Sequence, residues 1–174
     1  MTHGNFQTPT LETALDTAAD IARGDLVYQG ALVPTYLLTF SAMTVPVRAE
    51  GESGDCERDS LLDFVRAVTL GFRPDAVAFV RQAPVAGRDA VVVSAETPRA
   101  SGQRSYPLSG VGKGMRMART PLQDVSGPAE ALGVYRTDAV SERESADARL
   151  RVEGGLDPQI REHLHRRVKS AARD

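Results

Sequence analysis

Two stretches, DAVAFVRQA (75–83) and DAVVVSAET (89–97), are almost unbroken runs of apolar, largely β-branched residues, and only PVAGR separates them. A strand that is polar on one side alternates; a strand that is apolar throughout is buried on both faces. The short connection carries Gly87, which suits a tight turn, so the two runs predict an antiparallel hairpin at the centre of a sheet. Whatever else the chain does, it must cover that hairpin.

The flanking segments supply further strands. LVPTYLLTF (32–40) and TVPVRAE (44–50) read as a second hairpin turning around Ser41–Met43, and Pro34 and Pro46 place it at an edge or at strand ends. RSYPLSG (104–110) and MRMART (115–120) are weaker strands, and GVYRTDAV (133–140) suits a short last one. Helices bracket them. PTLETALDTAADIAR (9–23) repeats Leu11, Ala14, Leu15, Ala18, Ile21 and Ala22 at helical spacing, with Thr8 as cap and Gly24 as stop. Its narrow, alanine-rich stripe predicts close packing on a sheet or a partner. SLLDFVRAVTL (60–70) is capped by Ser60 and Asp63, buries Leu61, Phe64, Val65 and Val68, and stops at Gly71. Near the end, Asp157 and Pro158 open a helix with Ile160, Leu164 and Val168 in a thin stripe.

This order predicts an α+β fold: an antiparallel sheet of about five or six strands with helices on one face, plus a C-terminal amphipathic helix. Residues 1–136 are read as the α+β domain. Residues 137–174 are read as a polar linker, or an exposed helix over SERESADAR, followed by the C-terminal helix. At 174 residues a single core is large enough to need no metal or disulfide.

DAVAFVRQAPVAGRDAVVVSAETPRASGQRSYPL, together with the upstream LVPTYLLTF, resembles a family of small uncharacterised bacterial and phage proteins. In that family an apolar strand ending in a small polar cluster precedes a VVVSAET-like strand and then an arginine-rich strand holding an aromatic. The resemblance covers Leu32 to Leu108. The family has no assigned activity, so the resemblance implies an α+β fold and lends no catalytic residue.

Charge and composition narrow the function classes. The formal charge is −2, which supplies no general attraction for nucleic acid and argues against it as a partner. All but two of the 21 basic residues are arginine; Lys113 and Lys169 are the exceptions. The most apolar window, 31–47, is broken by Pro34 and Pro46 and is too short to span a bilayer. MTHGNFQTPT has no basic start followed by an apolar stretch, and Cys56 is the single cysteine, so a cytoplasmic protein without an intrachain disulfide is expected.

Motifs are few. SGVGKGMR (109–116) has the glycines and lysine of a phosphate loop, yet Lys113 precedes Gly114 where a P-loop needs Ser or Thr. The spacing also fails the dinucleotide fingerprint. The stretch reads as a glycine-rich turn, with Lys113, Arg116 and Arg119 as an alternative small-anion contact. Cys56 lies among Asp55, Glu57 and Asp59, which oppose a thiolate. His163 and His165 fall on opposite sides of a helix and cannot share a metal, so no metal and no cofactor is expected. Asp75, Asp89 and Glu96 stand at strand ends, where catalytic carboxylates and ordinary turn residues both occur. Ser94 sits inside a strand and is no nucleophile elbow.

Three functional expectations follow. The first is a non-enzymatic module that binds a protein partner or itself, with the thin stripe of the C-terminal helix docking on another chain. The second is an enzyme or sensor holding a small anion at the 109–116 loop. A basic face on the last helix, with Arg161, Arg166, Arg167, Lys169 and Arg173, suggests a third, nucleic-acid contact through the tail.

Overall fold

A computed structural model describes residues 10–41, 43–48, 55–122 and 132–172 of the chain. The elements run α1 (Leu11–Gln29), β1 (Thr35–Phe40), β2 (Met43–Arg48), α2 (Asp55–Phe72), β3 (Ala76–Val85), β4 (Arg88–Glu96), β5 (Ser101–Ser109), β6 (Arg116–Met117), α3 (Glu142–Val152) and α4 (Pro158–Ala171). The six strands form one antiparallel sheet in the order β2-β1-β3-β4-β5-β6. The fold is α+β, with the C-terminal helix in place.

The two apolar runs are β3 and β4, paired from Val77 opposite Glu96 to Val85 opposite Arg88. Ala86 and Gly87 both adopt positive φ, as a two-residue hairpin turn requires. Both faces of the hairpin are covered. On one side Ala78, Val80, Val91 and Val93 meet Ala18, Ala22 and Leu26 of α1. On the other, Val77 and Phe79 join Tyr36, Leu38 and Phe40 against Val65, Val68 and Phe72 of α2. The small side chains of α1 let it lie close to the sheet. Helices therefore flank the sheet on both faces. The expectation of one helical face fits α2 with α3 and α4, and α1 departs from it because double-sided strands need a cover on each side.

Tertiary packing moves several boundaries. α1 starts at the Thr10 cap, whose hydroxyl accepts the Thr13 N–H at 3.2 Å, and it runs through Gly24 to a left-handed Gly30. A mid-helix glycine costs about 1 kcal/mol, and burying Leu26 two residues further on, worth about 1.5–3 kcal/mol, outweighs it. α2 likewise runs past Gly71. A Cβ on Gly71 would sit 2.9 Å from Arg149 Cγ and 3.0 Å from Arg149 N, so this glycine admits the backbone of α3. GVYRTDAV is not a strand: the Gly133 and Tyr135 N–H groups go to the Glu96 carboxylate at 2.9 and 3.4 Å.

Residues 137–172 hold two helices that pack on the rest of the chain. α3 opens with a capping box between Ser141 and Glu144. Ser145 donates to Leu70 O at 2.7 Å, and Arg149 donates to Gly71 O at 3.1 Å, so α3 takes up carbonyls at the C-terminal end of α2. In α4, Leu164 is buried in the second core, with Ile160 and Val168 packed against it. The stripe expected to meet another chain thus lies against this one. Arg167 fastens the helix: it bonds both Asp75 oxygens, at 2.9 and 3.3 Å, and lies 5.5 Å from the Phe40 ring centre.

Leu164→Ala should therefore lower stability by about 2–5 kcal/mol, the range for truncating a buried leucine. Urea unfolding measures it. An unchanged midpoint would mean that α4 does not belong to the core.

Candidate functional site

The glycine-rich stretch resolves first. Residues 112–114 form a single 3-10 turn. Two of the N–H groups that a phosphate cradle would use are already bonded inside the turn, Gly114 to Val111 O and Met115 to Gly112 O, each at 3.0 Å. Arg116 turns its guanidinium back onto the Lys113 and Met115 carbonyls at 3.1 and 2.8 Å. The turn also packs on the end of α1: a Cβ on Gly30 would lie 3.0 Å from Lys113 Cα. Gly110, at φ +82°, has no room for a Cβ because it would overlap the Gly114 carbonyl. Lys113 and Arg119 are exposed beside this turn. Its geometry closes the C-terminal end of α1, and Arg116 serves the turn itself.

A second place gathers more chemistry. An open groove of about 1240 Å³ runs between the C-terminal half of α2, the β4–β5 turn, the irregular segment 133–140 and the end of α3. Its wall at 133–140 is positioned by a buried carboxylate. Glu96, 7% exposed, accepts the N–H groups of Gly133 and Tyr135. From the other side Arg66 Nε donates to Gly133 O at 3.1 Å. Tyr135 donates its hydroxyl to Pro74 O at 2.8 Å. Burial, reinforced by Asp75 and Glu96, pushes this phenol well above its ordinary pKa. It stays protonated and works as a donor, not as a base.

Asp75 anchors the base of the same region. It accepts the Ser41 N–H at 2.6 Å as well as the Arg167 fork. Asp75 and Glu96, both considered as catalytic carboxylates from sequence, are thus brought to the same end of the sheet, each engaged with backbone amides. Asp89 lies at the far end of the β3–β4 hairpin and is exposed. The hydroxyls in the groove wall are also engaged: Thr69 donates to Val65 O at 2.8 Å and Thr97 to Ala100 O at 3.2 Å.

The cations are arranged differently. Arg66, Arg73, Arg99, Arg136 and Arg151 all line the groove. Arg66 pairs with Asp63 at 3.4 Å, and Arg136 with Asp138 and Glu144. Those contacts hold the Asp138 and Glu144 carboxyls below their usual range; for Glu144 the Ser141 capping bonds contribute most. The side chains of Arg73, Arg99 and Arg151 form no hydrogen bond or ion pair among the described residues. Arg73 lies near Glu142 and helps lower its carboxyl, whose direct partner is Arg149. Each of the three is exposed, and each stands on a different element: the end of α2, the tip of the β4–β5 turn and the last turn of α3.

Arg73 has a further peculiarity. It holds φ +49°, the left-handed region where glycine is the usual helix-ending residue. Strain of this kind collects at functional positions. None of these five arginines was marked by a sequence motif. Their numbers span 66 to 151, and only the fold brings them to one groove.

The other sequence candidates fall elsewhere. Cys56 lies in the first turn of α2, and its side chain is outside the described residues. His165 meets Glu153 at 3.0 Å and the edge of Phe72. Among the described residues, no cluster of His, Cys, Asp and Glu is arranged to hold a metal, and no helix is long and apolar enough to cross a membrane. No family model, curated protein or solved structure gives a significant match to this chain, so function is argued from the groove's own chemistry.

Two stability measurements separate these sites. Gly110→Ala should cost at least about 1–2 kcal/mol, because a left-handed residue gains a side chain with nowhere to go. Arg73→Gly should instead raise stability, by about 1 kcal/mol, since it removes left-handed strain at a helix end. A destabilised Arg73→Gly would make Arg73 a structural residue and not one retained at a cost to the fold.

Proposed function

We propose that this chain is a binding module and that the arginine-lined groove is where it takes an anionic partner. The observation that carries this reading is the trio Arg73, Arg99 and Arg151: three exposed guanidinium groups, from three elements, on one groove, with no hydrogen bond or ion pair among the described residues. Isolated surface arginines are ordinary. Three that share a concavity with no carboxylate bonded to them among the described residues, one of them on a strained backbone, favour an external anion as a further counter-charge.

The polar groups around them favour binding over catalysis. A general base must be free to accept a proton at a reacting atom. Here Asp75 is bonded to Arg167 and to the Ser41 amide, and Glu96 to two backbone amides. The Tyr135 phenol and the Thr69 and Thr97 hydroxyls are tied to carbonyls. The groove also exceeds the roughly 300–1,000 Å³ of an ordinary small-molecule site, which suits a macromolecular partner. The start of α1 lies on the same groove through Thr10 and Leu11, adding the positive end of a helix.

The reading is tested by observing the arginine Nε–H resonances while adding polyglutamate or polyphosphate at low ionic strength. At least one of the two should move the signals of Arg73, Arg99 and Arg151, and Arg99→Glu should weaken that binding about tenfold, the scale of one charge-assisted contact. Shifts confined to Arg116 and Arg119, or to α4, would refute the groove and favour those surfaces.

A further inference from the structure

The groove is not only cationic. Between its arginines lie Ala67, Leu70, Pro98, Val134 and Val140, so the positive groups are interleaved with apolar wall. Val134 is itself 4% exposed, part of the second core. We infer that the anionic partner is an acidic segment of another protein whose carboxylates alternate with apolar side chains. This rests on the groove being the recognition surface.

Three features favour such a segment over other polyanions. First, the three guanidiniums sit on separate elements, at the ends of α2 and α3 and at the tip of the β4–β5 turn. A chain with charges spaced along it meets separated cations better than one compact anion does. Second, inorganic phosphate or pyrophosphate would leave the apolar wall facing water, whereas leucine-like side chains would cover it at roughly 25 cal/mol per Å². Third, single-stranded nucleic acid is held by bases stacking on aromatic rings. Among the described residues the one aromatic lining this groove is Tyr135, half-buried with its hydroxyl fixed to Pro74. The formal charge of −2 adds no long-range attraction for a nucleic-acid backbone.

The arginine of this chain's groove suits such a partner. A planar fork bonds a carboxylate through two parallel N–H groups and fixes its orientation. Arg73, Arg99 and Arg151 would each take one carboxylate, and the side chains between those carboxylates would face the wall around Leu70 and Val140.

The experiment compares four probes on the full chain. They are a fluorescent peptide alternating glutamate with leucine, an all-glutamate peptide of equal charge, pyrophosphate and an oligothymidylate. Anisotropy reads the labelled probes, and the arginine Nε–H signals read pyrophosphate. The alternating peptide should bind about tenfold more tightly than the all-glutamate peptide, the effect of burying a few methylene groups. Combining Arg73→Ala, Arg99→Ala and Arg151→Ala should remove that binding. Arg99→Ala alone, at an exposed turn tip, should weaken it should the triple variant fail to fold. Equal affinity for the two peptides, or a preference for pyrophosphate or the oligothymidylate, would overturn the acidic-apolar partner and leave the anion groove standing. Silence from all four probes would overturn both.

Discussion

The β3–β4 hairpin buries both of its faces, and most of the architecture follows from that requirement. A strand with one polar side can lie on the surface of a sheet. Val77, Ala78, Phe79 and Val80 cannot, because neighbouring residues point to opposite sides and all are apolar. One face needs α1, whose alanines bring it close. The other needs the larger side chains of α2, extended by α3 and α4. The sheet then grows outward, through β1 and β2 on one side and β5 and β6 on the other, to edges where Pro46 and a two-residue strand limit further pairing.

Covering the second face creates the groove. α2 ends at Phe72, and α3 returns to satisfy its last carbonyls through Ser145 and Arg149. The chain between them must pass the end of β4, where Glu96 waits as a buried acceptor. A buried carboxylate is costly unless hydrogen-bonded. Here the N–H groups of Gly133 and Tyr135 meet that need, and the same two bonds set one wall of the groove. Asp75 plays the matching part for α4. Glu96 and Asp75 therefore hold backbone and helix in place, while Arg73, Arg99 and Arg151 turn outward with no bonded carboxylate among the described residues.

That division gives the groove its character. Acids that organise the fold are bonded to amides and to Arg167, whereas several of the bases remain available at the surface. A chain of slightly negative net charge thereby carries a locally positive concavity. Net charge describes the long-range field; a binding surface depends on which charges have partners within bonding distance.

The strands, the turn at Ala86–Gly87 and the α+β class were legible in the sequence, because β-branched runs, alternation and glycine placement act over a few residues. So was the start of α4 at Asp157 and Pro158, a cap formed within one turn. Helix ends were less legible: Gly24 and Gly71 look like stops, and each is held inside a helix by packing from residues far away in sequence. GVYRTDAV looks like a strand, and only Glu96, nearly forty positions earlier, decides otherwise. Asp75 and Glu96 were visible as notable carboxylates, yet their partners were not. The five groove arginines left no trace as a set, since no spacing relates position 66 to positions 99 and 151. Local chemistry is written into neighbouring residues, and the sequence by itself determined the elements that such chemistry builds. Which faces were covered, which charges were paired and which were left to form a site depended on contacts between distant segments, and only the tertiary structure decided them.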